Sequence, residues 1–423
     1  MKNIITHSVL NESYIEYIHP SGLKIYLFKK SGYSTCHAVF GTAYGSVDTI
    51  FSRNGGEMLS TPEGIAHFLE HKLFESEELD AFQLFSKTGA YANAYTSFDR
   101  TCYLFSCSSN LKENMEILLN FVQSPYFTKE TVEKEQGIIG QEIVMYEDSP
   151  DWRVMFNLFK ALYHNHPAKI EIAGTKESIA KIDAQLLYEC YNTFYNLSNM
   201  FICLVGDFNE DEILDLIEKN LKEGEKVEFK LGDHNEPCEI VKPYIEQKLT
   251  VSKPQFMVGF KDMQGTGYAP LIRRISMEIL LEVIFGSTTK FYNKLLEKGL
   301  INKTFSFEYF NSRGISAVLF GGESDYPEKV QEAILEELKR VKKEGIDKEL
   351  FEDIRRSEYG GSVSAFDSVQ AISSLMVECA ITGDKIFDEI EALRELKLSD
   401  LENCLDAFRE DNFALSVIKG GEK

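Results

Sequence analysis

The sequence predicts a two-domain protein built of both strands and helices, and three observations support this prediction. The chain has 423 residues, which is more than a single hydrophobic core of ordinary size holds. Strand-like and helical patterns alternate along it, and no low-complexity segment separates them. The stretch 223–243 is polar and charged, as linkers are, and a similar order of strands and helices begins again after it. We therefore expect domains at 1–222 and 244–423.

Apolar runs bounded by turn residues predict the strands, and helical spacing of apolar residues predicts the helices. In the first domain we expect strands at 23–30, 36–47, 101–109 and 200–208, and helices at 111–123, 128–148, 151–163 and 177–196. In the second domain we expect strands at 255–260, 304–310, 315–322 and 412–420, and helices at 267–285, 288–298, 327–344 and 347–359.

The stretch from His67 to His71 reads H-x-x-E-H and is the strongest functional signal in the chain. In a helix, residues i and i+4 are stacked neighbours, and i+3 lies beside them. The two imidazoles can therefore bind one ion, with Glu70 beside the open coordination position. Neutral imidazole suits zinc, and a catalytic zinc takes three protein ligands and a water. A carboxylate next to that water can act as its general base.

The residues around the motif favour a helix. Thr61 is a candidate N-cap, Pro62 suits the first helical position, and Glu63 suits the first turn, where the helix dipole favours anions. We therefore expect a rigid, packed helix that begins after Thr61 and holds both histidines. An apolar stripe with helical spacing supports this: Ile65, Phe68, Leu69, Leu73 and Phe74.

A third ligand is expected from the long helix predicted at 128–148. Glu135 and Glu142 lie seven residues apart, which is about two turns, so both carboxylates share one face. One of them can bind the ion while the other orients a ligand or a water. The apolar residues of this helix are expected to form its packing side: Val132, Ile138, Ile139, Ile143 and Met145.

The motif H-x-x-E-H, followed later in the chain by E-x6-E, resembles the pitrilysin/insulinase-type zinc peptidases, which are inverzincins. This resemblance implies that Glu142 is the third metal ligand and that Glu135 is a supporting acid. The stretches HFLEHKLFE and FDRTCYLFS resemble a small bacterial subfamily in particular. Members of that subfamily usually work beside a metal-free paralogue.

The resemblance also implies the fold and the substrate site. It implies two related α+β domains, each with a mainly antiparallel β-sheet flanked by helices. The first is expected to be the zinc-binding peptidase domain, and the second a related domain without the metal motif. Gly22-Leu23 resembles the opening strand, and 199–207 resembles the strand that closes the first half. The stretch 89–96 resembles the edge strand that binds the substrate backbone, with the binding residues Ala92, Asn93, Ala94 and Thr96.

The function implied is that of a zinc metalloendopeptidase acting on short or unfolded peptides. Zinc would be held by His67, His71 and Glu142, and Glu70 would be the general base. An extended peptide would pair with the edge strand through its backbone. This binding mode depends on the extended shape of the peptide more than on its amino-acid sequence. The alternative is a non-catalytic structural or peptide-binding subunit of a peptidase-like complex. A small-molecule metallohydrolase fits the edge strand less well.

One stretch departs from the pattern of this family. Self-sufficient members carry an Arg and a Tyr in a stretch like LRE-x-x-GLAY, and these help to bind substrate and stabilise the oxyanion. The corresponding stretch here is 294–302, with Leu296 in place of Arg and Asn302 in place of Tyr. Losing one oxyanion donor typically costs about a hundredfold or more in rate. We therefore expect a paralogous, metal-free subunit to complete the site in a heterodimer, with a homodimer as the alternative.

The net charge and the cysteines limit the classes of partner and the cellular compartment that we expect for this protein. The net charge of −22 argues against nucleic acid and anionic membrane surfaces as partners. No stretch approaches the length of a membrane span, and the first residues lack the apolar core of a signal peptide. The 8 cysteines show no C-x-x-C pairing, and several lie in apolar runs. We therefore expect a reduced, cytoplasmic protein.

Overall fold

The structure is a computed structural model that describes residues 2–75, 80–222, 224, 226–262 and 265–421. Parts of the predicted ranges lie outside the described residues: 1 and 76–79 in the first domain, 223 and 225 in the linker, and 263, 264, 422 and 423 in the second domain. Contacts within the chain divide it into two compact units. Unit 1 comprises Met1–Glu142, Ile172–Gly232 and Val363–Phe387, and unit 2 comprises Ile143–Glu171, Asp233–Ser362 and Asp388–Lys423.

The strands of the described residues are numbered in chain order. They are β1 (Lys2–His7), β2 (Glu12–Ile18), β3 (Lys24–Lys29), β4 (Cys36–Thr42), β5 (Ile50–Arg53), β6 (Leu59–Ser60), β7 (Tyr91–Thr96), β8 (Thr101–Cys107), β9 (Met200–Gly206), β10 (Phe229–Leu231), β11 (Tyr244–Leu249), β12 (Gln255–Lys261), β13 (Ser306–Ser312), β14 (Ile315–Glu323) and β15 (Phe413–Gly420).

The α-helices are numbered in the same way, and none of those in the described chain is both long and apolar enough to cross a membrane. They are α1 (Ile65–Leu73), α2 (Ala81–Thr88), α3 (Leu111–Val122), α4 (Lys129–Glu147), α5 (Pro150–Leu162), α6 (Lys176–Ile179), α7 (Ala184–Phe194), α8 (Glu210–Asn220), α9 (Leu271–Phe285), α10 (Lys290–Glu297), α11 (Pro327–Glu344), α12 (Lys348–Ala365), α13 (Val369–Thr382), α14 (Asp388–Glu395) and α15 (Leu398–Cys404).

Unit 1 is built on a sheet with the strand order β1-β2-β3-β9-β4-β8-β7. Its neighbouring strands are antiparallel except β3 and β9, which run parallel. Strands β10, β5 and β6 form a second, small sheet. Strand β7 lies at the edge of the large sheet, where β8 is its only strand partner among the described residues. Helix α1 packs against β7 and β8, which brings the H-x-x-E-H motif to this edge.

Unit 2 is built on a sheet with the strand order β11-β15-β12-β14-β13. Only β11 and β15 run parallel, and the other neighbours are antiparallel. This order and these directions repeat those of β3-β9-β4-β8-β7 in unit 1. The predicted fold class, two related α+β domains with mainly antiparallel sheets, is therefore confirmed.

Each unit includes one helix from the other half of the sequence. Helix α5 belongs to unit 2, where Val154 packs with Leu249 and Ile418 on the sheet. Helix α13 belongs to unit 1, where Lys24 Nζ donates to the carbonyl oxygen of Ala380 at 3.3 Å. The units are thus not the continuous ranges 1–222 and 244–423, because an amphipathic pattern does not specify which sheet a helix covers.

The helices predicted at 177–196 and 128–148 each differ from the structure in one respect. The helix predicted at 177–196 is interrupted, because the side chain of Asp183 accepts from Leu186 N and starts α7 as a new helix after α6. On α4, Val132, Ile139 and Ile143 are buried as expected. Ile138 and Met145, however, are 47% and 59% exposed, so they share an outer face rather than the packing side.

Candidate metal centre

Helix α1, which carries the motif, begins later than predicted. It spans Ile65–Leu73, and Gly64 precedes it with a φ of 89°. A Cβ on Gly64 would lie 2.4 Å from the carbonyl oxygen of Ala173, so the close approach and the left-handed backbone both require glycine. The predicted start at Thr61, with the next two residues in the first turn, is therefore wrong. A contact made more than a hundred residues along the chain sets the start.

His67, His71 and Glu142 come together in unit 1. Each offers one ligand atom, and these three atoms lie within 4.8 Å of one another. Nε2 of His67 lies 3.6 Å from one carboxylate oxygen of Glu142, and Nε2 of His71 lies 3.5 Å from the other. Within the described part of the chain, this is the one group of three or more metal-ligating side chains so arranged.

The spacing of these atoms suits a zinc ion. Bonds from zinc to nitrogen and oxygen are about 2.0–2.2 Å long, so ligand atoms at tetrahedral positions lie about 3.4 Å apart. Each Nε2 lies close to that separation from a different oxygen of Glu142, at 3.6 Å for His67 and 3.5 Å for His71. The three candidate ligand atoms, one from each residue, lie within 4.8 Å of one another. Two imidazoles and one carboxylate also form a donor set found in catalytic zinc sites that leave one position open. The residues present therefore fit the metal that the resemblance implies.

Glu135 lies behind His71. Its Oε1 is 2.9 Å from Nδ1 of His71, while Nε2 of the same ring faces Glu142. Burial lowers the pKa of His71, but the hydrogen bond with Glu135 and the charges of Glu70, Glu135 and Glu142 outweigh burial and raise it. Nδ1 of His67, by contrast, is buried without a hydrogen-bond partner among the described residues. The two acids of α4 therefore have different positions. Glu142 belongs to the group of three candidate ligands, which we call the ligand cluster (His67, His71 and Glu142), and Glu135 contacts the far side of the His71 ring.

Glu70 lies on the turn between the two histidines and is half-buried. Its Oε2 accepts a hydrogen bond of 2.8 Å from Oγ1 of Thr96, the last residue of β7. Sequence reasoning placed Thr96 among the substrate-binding residues but missed this bond. No periodicity connects positions 70 and 96, because one lies on a helix and the other on a strand, so the sequence carried no signal for the contact.

The other residues predicted to bind substrate lie along β7. Side chains alternate along this strand: Ala92, Ala94 and Thr96 are half-buried, while Asn93 is exposed. Oδ1 of Asn93 accepts a hydrogen bond of 2.9 Å from Ala94 N, so its amide lies against the strand's own backbone. The half-buried side chains face α1, as the bond from Thr96 to Glu70 shows. Small alanine side chains therefore occupy the face of the edge strand that is shared with Glu70.

The two positions that depart from the family's pattern lie in unit 2. Leu296 is on α10 and is 38% exposed. Asn302 follows that helix, and its Nδ2 donates to Glu323 Oε2 at 2.9 Å. Its Oδ1 accepts from Thr304 N at 2.8 Å. Asn302 thus holds the turn at Thr304 through one end of its amide and contacts the end of β14 through the other.

Two protein-family models match the chain. The model described as insulinase (peptidase family M16) matches residues 54–176, a range that contains the H-x-x-E-H motif and both glutamates of α4. The model described as peptidase M16 inactive domain matches residues 181–358. Together the two models cover most of both units.

Individual relatives match over nearly the whole length. The chain is 41% identical over 409 residues to the uncharacterized zinc protease YmfH of Bacillus subtilis (strain 168), covering 95% of each protein. It is 26% identical over 379 residues to the uncharacterized zinc protease YmxG of the same organism, covering 86% of this chain and 90% of that protein. A crystal structure described as an M16-like peptidase, from Alicyclobacillus acidocaldarius, matches with a TM-score of 0.93 at 36% identity, covering 96% of this chain and 98% of that one. These matches show that the chain belongs to the insulinase family, peptidase family M16.

Proposed function

We propose that this chain is the zinc-bearing catalytic subunit of a metalloendopeptidase that hydrolyses short or unfolded peptides. The observation that carries the proposal is the position of two imidazole nitrogens 3.6 and 3.5 Å from the two oxygens of Glu142, with Glu70 on the same helix turn. The names of YmfH and YmxG, both zinc proteases, support zinc as the metal and proteolysis as the reaction.

The chemistry follows from the roles that these side chains can take. Held by His67, His71 and Glu142, zinc would supply Lewis-acid chemistry that polarises the scissile carbonyl and acidifies a water. Glu70 takes the proton from that water and later gives it to the leaving amine. Glu135 holds the ring of His71 through Nδ1 and keeps its other nitrogen directed at the ligand cluster.

The substrate is proposed to bind as an added strand along β7. On the side of β7 opposite β8, where no strand of the described residues pairs with it, backbone groups can bind an extended peptide as an added strand. Ala92 and Ala94 lie on the same face as Thr96, whose hydroxyl reaches Glu70. A peptide paired with β7 would therefore run past Glu70 with little steric hindrance. Backbone pairing selects extended chains, which short or unfolded peptides supply.

The same proposal includes a partner subunit and a compartment. A paralogous, metal-free subunit would supply the Arg and Tyr that are absent from 294–302. This is supported by the exposed, apolar Leu296 and by Asn302, whose amide is occupied by Glu323 and Thr304. A homodimer is the alternative assembly. A cytoplasmic location is supported by cysteines that are all free and, except for Cys238, buried.

The test is cleavage of a quenched-fluorescence mixture of unstructured peptides by the zinc-loaded full chain. The E70Q variant should keep its zinc and lose about a hundredfold or more in rate, because the general base is gone. The matched control is E133Q, which changes an exposed glutamate on α4 and should leave the rate unchanged.

Three outcomes decide between the assignments. Rapid cleavage by the chain alone, abolished in E70Q, would support catalysis and contradict the need for a partner. Cleavage that appears only after the paralogous subunit is added would support both. Absence of cleavage in either case, with zinc bound, would contradict catalysis and favour the non-catalytic, peptide-binding subunit.

A further inference from the structure

We infer that Thr96 is a positioning residue that orients Glu70, an inference that rests on the proposed function of Glu70 as general base. The two side chains are joined by the hydrogen bond of 2.8 Å from Thr96 Oγ1 to Glu70 Oε2. The family resemblance of 89–96 placed Thr96 with Asn93 in the set expected to contact substrate. Because the hydroxyl of Thr96 donates its proton to Glu70, Thr96 affects the reaction by orienting that carboxylate and not by contacting substrate.

The direction of this hydrogen bond is set by its surroundings. An ionised carboxylate only accepts, and a threonine hydroxyl has a single proton to donate. Thr101 lies opposite Thr96 on β8, is fully buried, and donates its own proton to the carbonyl oxygen of Tyr44 at 2.9 Å. The oxygens of the two threonines are 3.4 Å apart. Since the proton of Thr101 is occupied, nothing in this pair competes for the donation from Thr96 to Glu70.

This hydrogen bond occupies only one of the two carboxylate oxygens of Glu70. Thr96 holds Oε2, and the carboxylate accepts no further hydrogen bond within the described residues, so Oε1 is available to a water. A hydrogen bond to a charged acceptor is stronger than one between neutral groups. Threonine is also branched at Cβ, which restricts its χ1 and keeps the hydroxyl aimed in one direction. The edge strand thereby fixes which oxygen of Glu70 is held and which one can receive a proton.

The first test uses T96V and T96S in the zinc-loaded full chain with a single peptide that the chain cleaves. T96V keeps the shape but loses the donor, so kcat should fall about tenfold to a hundredfold while KM stays nearly unchanged. T96S keeps the hydroxyl and should restore most of kcat. The control T42V removes another strand hydroxyl, which donates to Phe194 O at 2.6 Å, and should lower Tm without changing kcat.

Binding of the same peptide separates positioning from substrate contact. Fluorescence anisotropy with E70Q and with the double variant E70Q/T96V should give equal affinities for the peptide, because Thr96 orients Glu70 and does not itself contact the peptide. An affinity about tenfold weaker in the double variant would make Thr96 a substrate-binding residue and overturn the inference. Unchanged kcat in T96V, with E70Q inactive, would overturn it as well. A wild-type chain as inactive as E70Q would instead contradict the proposed function.

Crystal structures of the wild type, T96V and T96S give a result that does not depend on turnover. Glu70 should keep its orientation in T96S and leave it in T96V, where Oε2 has lost its donor. If the side chain of Glu70 is ordered in the same place in all three structures, the inference is overturned even when the isolated chain cleaves nothing.

Discussion

Oε1 of Glu135 lies 2.9 Å from Nδ1 of His71, and Nε2 of that ring lies 3.5 Å from Glu142. One imidazole therefore joins the two acids of α4, and the proton that Glu135 accepts leaves Nε2 as the ring's electron-pair donor. Nδ1 of His67 has no such partner among the described residues. The orientation of His71 thus depends on Glu135, whereas that of His67 depends on packing.

Removing the acid behind His71 should weaken zinc binding without abolishing it. Loss of such a supporting partner typically costs about tenfold to a hundredfold in metal affinity. E135A should lie at the upper end of this range and E135Q at the lower end, because glutamine can still accept from Nδ1. Competition with a fluorescent chelator measures the affinities. E133Q, on the exposed side of the same helix, is the control, and an affinity in E135A equal to that of E133Q would contradict the prediction.

Gly64 should be irreplaceable at the start of α1, and Gly89 offers a matched comparison. Both have positive φ, but a Cβ on Gly89 meets nothing within 4 Å, while one on Gly64 meets Ala173 O at 2.4 Å. G89A should therefore cost only the backbone strain, about 1–2 kcal/mol. G64A adds a steric clash and should cost about 3–5 kcal/mol in all. Urea denaturation measures both, and equal losses would contradict the close approach.

The pairs of side chains in the candidate metal centre were predictable because their spacing is local to two helices. Residues at i and i+4 of α1, and a separation of seven on α4, place His67 with His71 and Glu135 with Glu142 by geometry alone. The sequence did not distinguish ligand from supporting acid without the family resemblance, since both glutamates share one face. In the structure the two glutamates have different neighbours: Glu142 lies next to both Nε2 atoms, and Glu135 lies next to Nδ1 of His71.

What sequence reasoning missed depends on contacts between distant parts of the chain. The start of α1 is set by Ala173, and the bond between Thr96 and Glu70 joins a strand to a helix. The hairpin of β1 and β2 was also not predicted, because β1 lacks a buried apolar face: Ile4 is 69% exposed, and His7 is the one buried residue of that strand. Helices α5 and α13 likewise belong to their units because of the sheets on which they pack, and the periodicity of apolar residues does not predict which sheet a helix covers.

His37 should make unit 1 sensitive to mild acid. It is buried on β4 with Nδ1 2.7 Å from Ser106 Oγ, and burial lowers its pKa to about 4. Between about pH 6.5 and 4 the unfolded chain binds a proton that the folded chain does not, so stability falls as pH falls through this window. The loss should reach about 2 kcal/mol at pH 5.

Two measurements check this pH dependence. An NMR titration should show one imidazole with a midpoint near 4, and that signal should be missing from H37Q. Urea denaturation at pH 7 and pH 5 should show a smaller loss of stability in H37Q than in the wild type. A midpoint for His37 near the ordinary value of about 6.5 would contradict the prediction.

A buried ion pair secures the polar segment around residues 233–243 within unit 2. Lys261 is fully buried, and its Nζ donates to Glu236 Oε1 at 2.5 Å and to the carbonyl oxygens of Leu162, Pro237 and Glu239. The carboxylate of Glu236 also accepts from three consecutive backbone N–H groups, those of residues 164–166. Part of the segment expected to be a simple linker is therefore held by an extensive hydrogen-bond network.

Breaking this pair from one side should be costly. K261M removes the cation and leaves the buried carboxylate of Glu236 without its countercharge, so the free energy of unfolding should fall by about 3–5 kcal/mol. K339M breaks an ion pair with Glu410 whose side chains are 68% and 86% exposed, and it should change stability by less than about 1 kcal/mol. Thermal and urea unfolding of the two variants measure the difference. A K261M variant as stable as K339M would mean that Glu236 finds compensation from the backbone alone, since its three N–H donors persist after the lysine is gone.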